Sequence, residues 1–185
     1  MDFIVELPPS EGYDAVFVCV DRFTKMAHFI PTTSNVTAER AAQLYCRHVW
    51  RLHGLSVDTV SDWGPQFICQ FTWHLRKWLD IQRNRSTTCH PQSDGQTERV
   101  NQTLEQYLQI YCDYQQGDWH QLLPLAEFVY NNTQNSSTRV SPFFANYDYH
   151  PRCSVTVATS GSTKPAAEAL VHQLRAIQAE LKVNL

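Results

Sequence analysis

Residues 57–67 read VDTVSDWGPQF. The first five are a short run of strand character, and Asp62 stands at its carboxyl end. The Gly64-Pro65 pair then turns the chain into a helix predicted over 67–79. A strand that ends on a carboxylate and turns at once into a helix belongs at the edge of an α/β sheet, where ligand sites form.

Upstream, DFIVEL (2–7) alternates and stops at Pro8-Pro9. AVFVCV (15–20) is continuously apolar, as a strand buried on both faces should be. KMAHFIP (25–31) is a third short strand, and the brief connections predict an antiparallel meander. Thr37 is placed to cap a helix whose face carries Ala38, Ala41, Ala42, Tyr45, Val49 and Leu52, closed by Gly54.

Downstream, the polar IQRNRST (81–87) predicts a fifth, edge-like strand, followed by a loop over 88–95. A long helix is predicted over 94–116, its stripe formed by Val100, Leu104, Tyr107, Leu108 and Tyr111. Another follows over 118–131, with Pro124 as a kink or break. The order of elements predicts an α/β fold with a mixed five-stranded sheet flanked by helices. The core is expected to span 1–152, with a Ser/Thr-rich linker at 153–165. A last helix at 166–185, with Leu170, Leu174, Ile177 and Leu181 spaced 4-3-4, would lead toward a further domain.

Composition bounds the function. The 185 residues are 43% hydrophobic and 12% aromatic, enough for one core and incompatible with a disordered chain. No apolar run reaches the ~18 residues of a membrane span, so no membrane partner is expected. MDFIVELPPS lacks the basic flank and apolar stretch of a secretory signal. Net charge is −3, which by itself argues against a purely electrostatic nucleic-acid binder. The six cysteines include no CxxC, and the eight histidines form no HxxxH or HExxH, so zinc has no support from spacing. Free thiols in a reducing, intracellular compartment are expected.

Three carboxylates stand apart from the solvated majority: Asp2 in the first strand, Asp62 at a strand end, and Glu98 in the first turn of the long helix. Converged, they would suit hard divalent cations, which take oxygen ligands. A strand-end Asp that caps a turn and a Glu in a first helical turn are also common, so spacing alone leaves both readings open.

Four blocks decide more: MDFIVELPPSEGYDAVFVCVDRFTKMAHFIP, VSDWGPQF, HPQSDGQTERVNQTLEQYL and DWHQLLPLAEFVYNNTQNSSTRVSPFFANYDYHPR, with 35 residues between Asp62 and Glu98. Together they resemble the catalytic core of retroviral-type integrases, specifically those of gypsy-type long-terminal-repeat retrotransposons. The resemblance implies a ribonuclease-H-like fold and a metal-binding catalytic triad at Asp2, Asp62 and Glu98 that takes two Mg2+ or Mn2+ ions. Asp2 and Asp62 would share one ion, and Asp2 and Glu98 the other. It implies 3′-end processing and strand transfer on element-end and target DNA, a homo-oligomer when full length, and a nuclear setting. Asp21, more prominent in VCVDRFTK, is not the family's ligand, and a turn or surface pairing role with Arg22 or Lys25 is expected.

Trp63 stands where the family usually has Arg or Asn, and Cys89 where it usually has an aromatic. Trp63 is read either as stacking on a base or as packing against the turn. His90, Gln92, Arg99 and Asn101, beside the glutamate, are candidate nucleic-acid contacts, with Arg83 and Arg85 nearby. Relatives carry flanking zinc-binding and DNA-binding domains, so the chain reads as a fragment. Asp2, one residue from the start, is expected to be loosely held. The competing reading is a catalytically inactive relic that serves as an interaction module. A nuclease that cuts RNA in hybrids is a third, disfavoured by HPQSDGQTERVN.

Overall fold

A computed structural model describes residues 1–56, 58–61, 63–80, 88–91, 95–111 and 117–152. The predicted strand at 81–87, the linker and the last helix lie outside these residues, as do Asp62, Gln92, Arg83 and Arg85.

Strands β1 (Asp2–Ile4), β2 (Ala15–Val20) and β3 (Ala27–Thr32) form an antiparallel meander. The register sets Asp2 against Val18 and Val18 against Phe29. Because strand side chains alternate, β2 feeds two cores. Val16 and Val18 join Ile4, Ala27 and Phe29 under one pair of helices, α4 (Gly95–Tyr111) and α5 (Trp119–Asn132). Phe17 and Cys19 join Ile30 under another pair, α1 (Ala38–Tyr45) and α3 (Pro65–Trp78). The sheet is thus the middle of three layers, and AVFVCV is unbroken because both its faces are covered. Each large side chain buried here stabilises the fold by about 1.5–3 kcal/mol.

Local chemistry sets the element ends. The Thr37 hydroxyl accepts from the Arg40 amide at 3.2 Å and caps α1. The predicted continuation to Leu52 passes through a π-helical turn, Cys46–Trp50, before the short α2 (Arg51–His53), and Gly54 ends it at φ 79°. Helix α3 starts on Pro65, whose missing amide hydrogen costs nothing at a helix start. Pro124 lies within α5 without ending it. A last short helix, α6, spans Pro142–Tyr147.

The expectation of one five-stranded sheet is corrected. Beside the meander, β4 (Asp58–Ser61) pairs in parallel with β5 (Thr88–Pro91), so among the described residues there are two sheets. The fifth strand falls where a loop was expected. The two sheets meet where Met1 N donates to the Val60 carbonyl at 2.8 Å. With β1 only three residues long, this contact does not grow into a ladder. That bond also corrects the expectation of a loose start: Met1 is buried and Asp2 is paired in a strand.

The outer edge of β3 is closed by side chains. Asn131 accepts from the Ala27 amide at 2.9 Å and donates to the Ala27 carbonyl at 2.8 Å. The Glu127 carboxylate accepts from the Phe29 amide at 2.8 Å. Helix α5 thereby satisfies an edge that would otherwise offer pairing groups to another chain.

Candidate active site

Asp2 is half-buried in β1. One carboxylate oxygen accepts from the Phe3 amide at 2.7 Å, and the other accepts from the Asn101 side-chain amide at 2.5 Å. Asn101 lies one turn beyond Glu98 on α4, so both stand on neighbouring positions of one helix face. Helix α4 is anchored by Val100, Leu104 and Leu108 on the sheet, which fixes the approach of its first turn to β1. Glu98 and Arg99 are exposed there.

The third carboxylate of the expected triad, Asp62, lies outside the described residues, but its neighbours do not. Ser61 ends β4 and is 1% exposed; its hydroxyl accepts from the Trp63 amide at 3.2 Å. Val60 is bonded to Met1, so the end of β4 runs beside the start of β1. Among the described residues no three His, Cys, Asp or Glu side chains form a metal-binding group. The donors present are nonetheless of the right kind. Asp2 and Glu98 offer hard carboxylate oxygens, and the buried Oδ1 of Asn101 has no hydrogen-bond partner.

Trp63 takes the packing alternative rather than base stacking. Its ring stacks on Phe3 with centroids 4.5 Å apart and an interplanar angle of 12°. Phe17, Phe67 and Phe71 surround it at 5.5, 4.9 and 5.9 Å. An indole engaged in this way locks the turn after Asp62 onto β1. The side-chain amide of Asn101, expected among the nucleic-acid contacts, donates to Asp2. Arg99 remains exposed in the first turn of α4, while of His90 only the strand backbone, in β5, is described.

Asp21 has a turn role: its backbone carbonyl accepts from the Lys25 amide at 2.9 Å, and its side chain is held by Thr24. Its carboxylate accepts from the Thr24 amide at 2.8 Å and the Thr24 hydroxyl at 2.6 Å. Burial pushes the Asp21 carboxyl up, but the Thr24 hydrogen bonds outweigh it and leave the group below the usual carboxylate range. Free thiols are present at Cys19, Cys46 and Cys69 among the described residues, and burial pushes the Cys19 thiol up to about 12. Sequence reasoning missed a cluster of His28, His53 and Glu127. Its members are far apart in the chain, and only a histidine inside an apolar strand hinted at it.

No protein-family model matches the chain. The Transposon Tf2-3 and Tf2-4 polyproteins of Schizosaccharomyces pombe are each 37% identical to it over 164 residues. That covers 89% of this chain but 12% of each relative's length, so the chain corresponds to a small part of the proteins it matches. Among solved structures, the simian T-cell lymphotropic virus intasome in complex with PP2A regulatory subunit B56 gamma matches with a TM-score of 0.61 at 19% identity. That match covers 89% of this chain and 57% of the other. The dimeric form of the HTLV-2 integrase catalytic core domain in complex with magnesium matches with a TM-score of 0.57 at 16% identity, over 79% of this chain and 93% of that one. At these identities the structural likeness is one of fold, the ribonuclease-H-like α/β fold. In sequence the chain is thus similar to a segment of retrotransposon polyproteins, and in fold to retroviral integrase catalytic cores.

Proposed function

We propose that this chain is the catalytic core of a retrotransposon integrase, a metal-dependent polynucleotidyl transferase that processes the 3′ ends of the element's DNA and joins them to target DNA. The observation that carries the reading is the Asn101–Asp2 bond. It draws the helix turn bearing Glu98 to the strand bearing Asp2, beside the strand end that leads to Asp62.

Asp2, Asp62 and Glu98 would hold divalent ions of the Mg2+ or Mn2+ class. When bound, two such ions activate the attacking oxygen and stabilise the leaving oxygen of a phosphodiester. The chain's own residues do the rest. Asn101 orients the Asp2 carboxylate and neutralises part of its charge through a hydrogen bond. Trp63, wedged against Phe3, fixes the turn after Asp62. Arg99, exposed beside Glu98, is placed to meet a DNA phosphate, with His90 and Gln92 as further contacts. Direct transesterification needs no covalent enzyme intermediate, which agrees with a site built from carboxylates. The partners are element-end and target DNA and further copies of the same chain, and the setting is the nucleus.

The test is strand transfer and its reversal on a branched DNA substrate, in Mg2+ and in Mn2+. The expected result is metal-dependent joining that Asp62→Asn and Glu98→Gln each abolish. A folded protein that binds the ions and leaves every DNA substrate untouched would overturn the reading in favour of an inactive relic.

A further inference from the structure

Ahead of Met1, the space between β2 and β4 holds no strand among the described residues. The Ala27 amide and carbonyl are both taken by Asn131 on the outer side of β3, so Val20 and Ala27 face each other as a non-hydrogen-bonded pair. The bond from the Asp21 amide to the Met26 carbonyl, at 2.8 Å, keeps that alternation. The backbone N–H and C=O of Val20 therefore point away from β3, toward the line of β1. With Asp2 set against Val18, the position opposite Val20 is the one directly before Met1.

Strand β4 faces the same line from the other side. Met1 N donates to the Val60 carbonyl, so the backbone groups of Val60 and Asp58 point at the line of β1, while those of Thr59 point at β5. In such a parallel pair, a residue two places before Met1 would donate to the Asp58 carbonyl and accept from the Val60 amide. Between the two rows lies a cavity of about 490 Å³, lined by Met1, Cys19, Val20, Asp58, Thr59 and Val60 among others.

We propose that this cavity is a strand slot, and that its occupant is an extended stretch of polypeptide that continues β1 ahead of Met1, antiparallel to β2 and parallel to β4, with an apolar side chain two places before Met1. Alternation sets that side-chain preference. Met1 packs with Phe17, Cys19 and Tyr45 on the α1 side of the sheet, so a residue two places earlier lies on the same face, where Tyr45, Val49 and Leu55 wall the cavity. The residue directly before Met1 shares the opposite face with Asp2 and Val20. The polyproteins matched by this chain are far longer, since it spans 12% of their length, and a strand in line with β1 meets both rows without displacing Met1. Such a strand would join the two sheets into one and lengthen the three-residue β1 that carries Asp2.

Amide hydrogen exchange at Val20 and Val60 tests this, for the chain as it stands and for the chain carrying Thr-Leu-Thr directly ahead of Met1. The added residues are expected to slow exchange at both amides by at least about tenfold, and to raise the melting temperature. Asp in place of the added Leu should lose most of the gain, because it sets a charge against the apolar wall. All these chains share every residue from Met1 onward, so folding does not depend on the added ones. Exchange unchanged at Val20 and Val60, or equal protection from the Leu and Asp extensions, would overturn the proposal. Protection given as well by a free Thr-Leu-Thr peptide at equal concentration would overturn it in favour of an occupant from a separate chain.

Discussion

The side-chain amide of Asn101 donates to the Asp2 carboxylate at 2.5 Å and spans 99 positions of sequence to join helix α4 to strand β1. Asn101 lies one turn beyond Glu98, so this bond ties the start of α4 to the carboxylate of Asp2. A carboxylate expected to hold a metal needs its rotamer fixed from behind, and the Asn101 amide is placed to do so.

Asn101→Ala removes that restraint while leaving the apolar stripe of α4 intact. Metal affinity or strand-transfer rate is expected to fall about 10–100-fold, with little change in thermal stability. Magnesium titration calorimetry beside a joining assay measures both. Unchanged affinity and rate would mean that Asp2 is positioned by other groups.

Asp21 and the triad carboxylates should separate cleanly. Asp62→Asn and Glu98→Gln are expected to abolish joining, and Asp21→Asn to spare it. Asp21→Asn still offers Thr24 an acceptor, so its stability cost should stay within ~1 kcal/mol, small because the group is largely exposed. The Asp21 carboxyl is lowered in the folded state, so its contribution is present above its ordinary 3.8 and disappears as pH falls below that. Melting curves of the two proteins should differ at neutral pH and converge in strong acid. Loss of joining in a stable Asp21→Asn variant would show that Asp21, too, serves the reaction and would overturn this separation.

How legible all this was depended on the distance between partners. AVFVCV announced a strand covered on both faces, and Thr37 announced a helix start, because each signal is local. The helix through Leu52 was visible as periodicity, but its π-helical turn was not; that turn rotates the face that follows, and Leu52, expected on the apolar stripe, is exposed. The single-sheet expectation failed because strand count says nothing about how many residues of β1 reach β4. At the candidate site, Asp2 and Glu98 were singled out by position and family pattern, whereas the bond of Asn101 to Asp2 had no local signal. A polar residue on a helix gives no sign of whether it turns to solvent or to a strand about a hundred residues away. The same limit hid Glu127 and Asn131, which look like ordinary polar positions of an amphipathic helix until β3 is laid beside them.

Trp63 should behave as a structural residue. Its ring has Phe3 against one face and Phe67 and Phe71 edge-on. Trp63→Ala is expected to cost about 3 kcal/mol, at the lower end for loss of a large aromatic because the site is only half-buried. Trp63→Phe should cost less and leave DNA affinity unchanged. Denaturant unfolding and a DNA-binding isotherm on the same samples decide the matter. A stable Trp63→Ala variant with sharply weakened DNA binding would restore the base-stacking reading.

Asn131 offers the strictest test of how the meander is sealed. It is 1% exposed, and its amide satisfies both the N–H and the C=O of Ala27, as a neighbouring strand would. Replacing it with Leu keeps the volume but strips both partners from buried backbone groups. Each unsatisfied group costs about 1–3 kcal/mol, so Asn131→Leu is expected to lose roughly 2–5 kcal/mol. Asn131→Asp keeps an acceptor for the amide but places a carboxylate against the Ala27 carbonyl. It should therefore be nearly as damaging at neutral pH and recover in part when acid restores a donor. The exposed edge should also make Asn131→Leu prone to self-association, because unpaired strand groups recruit further strands. Urea unfolding gives the stability change, and light scattering at fixed concentration gives the association. A monomeric Asn131→Leu variant of native stability would show that the β3 edge is closed by other contacts.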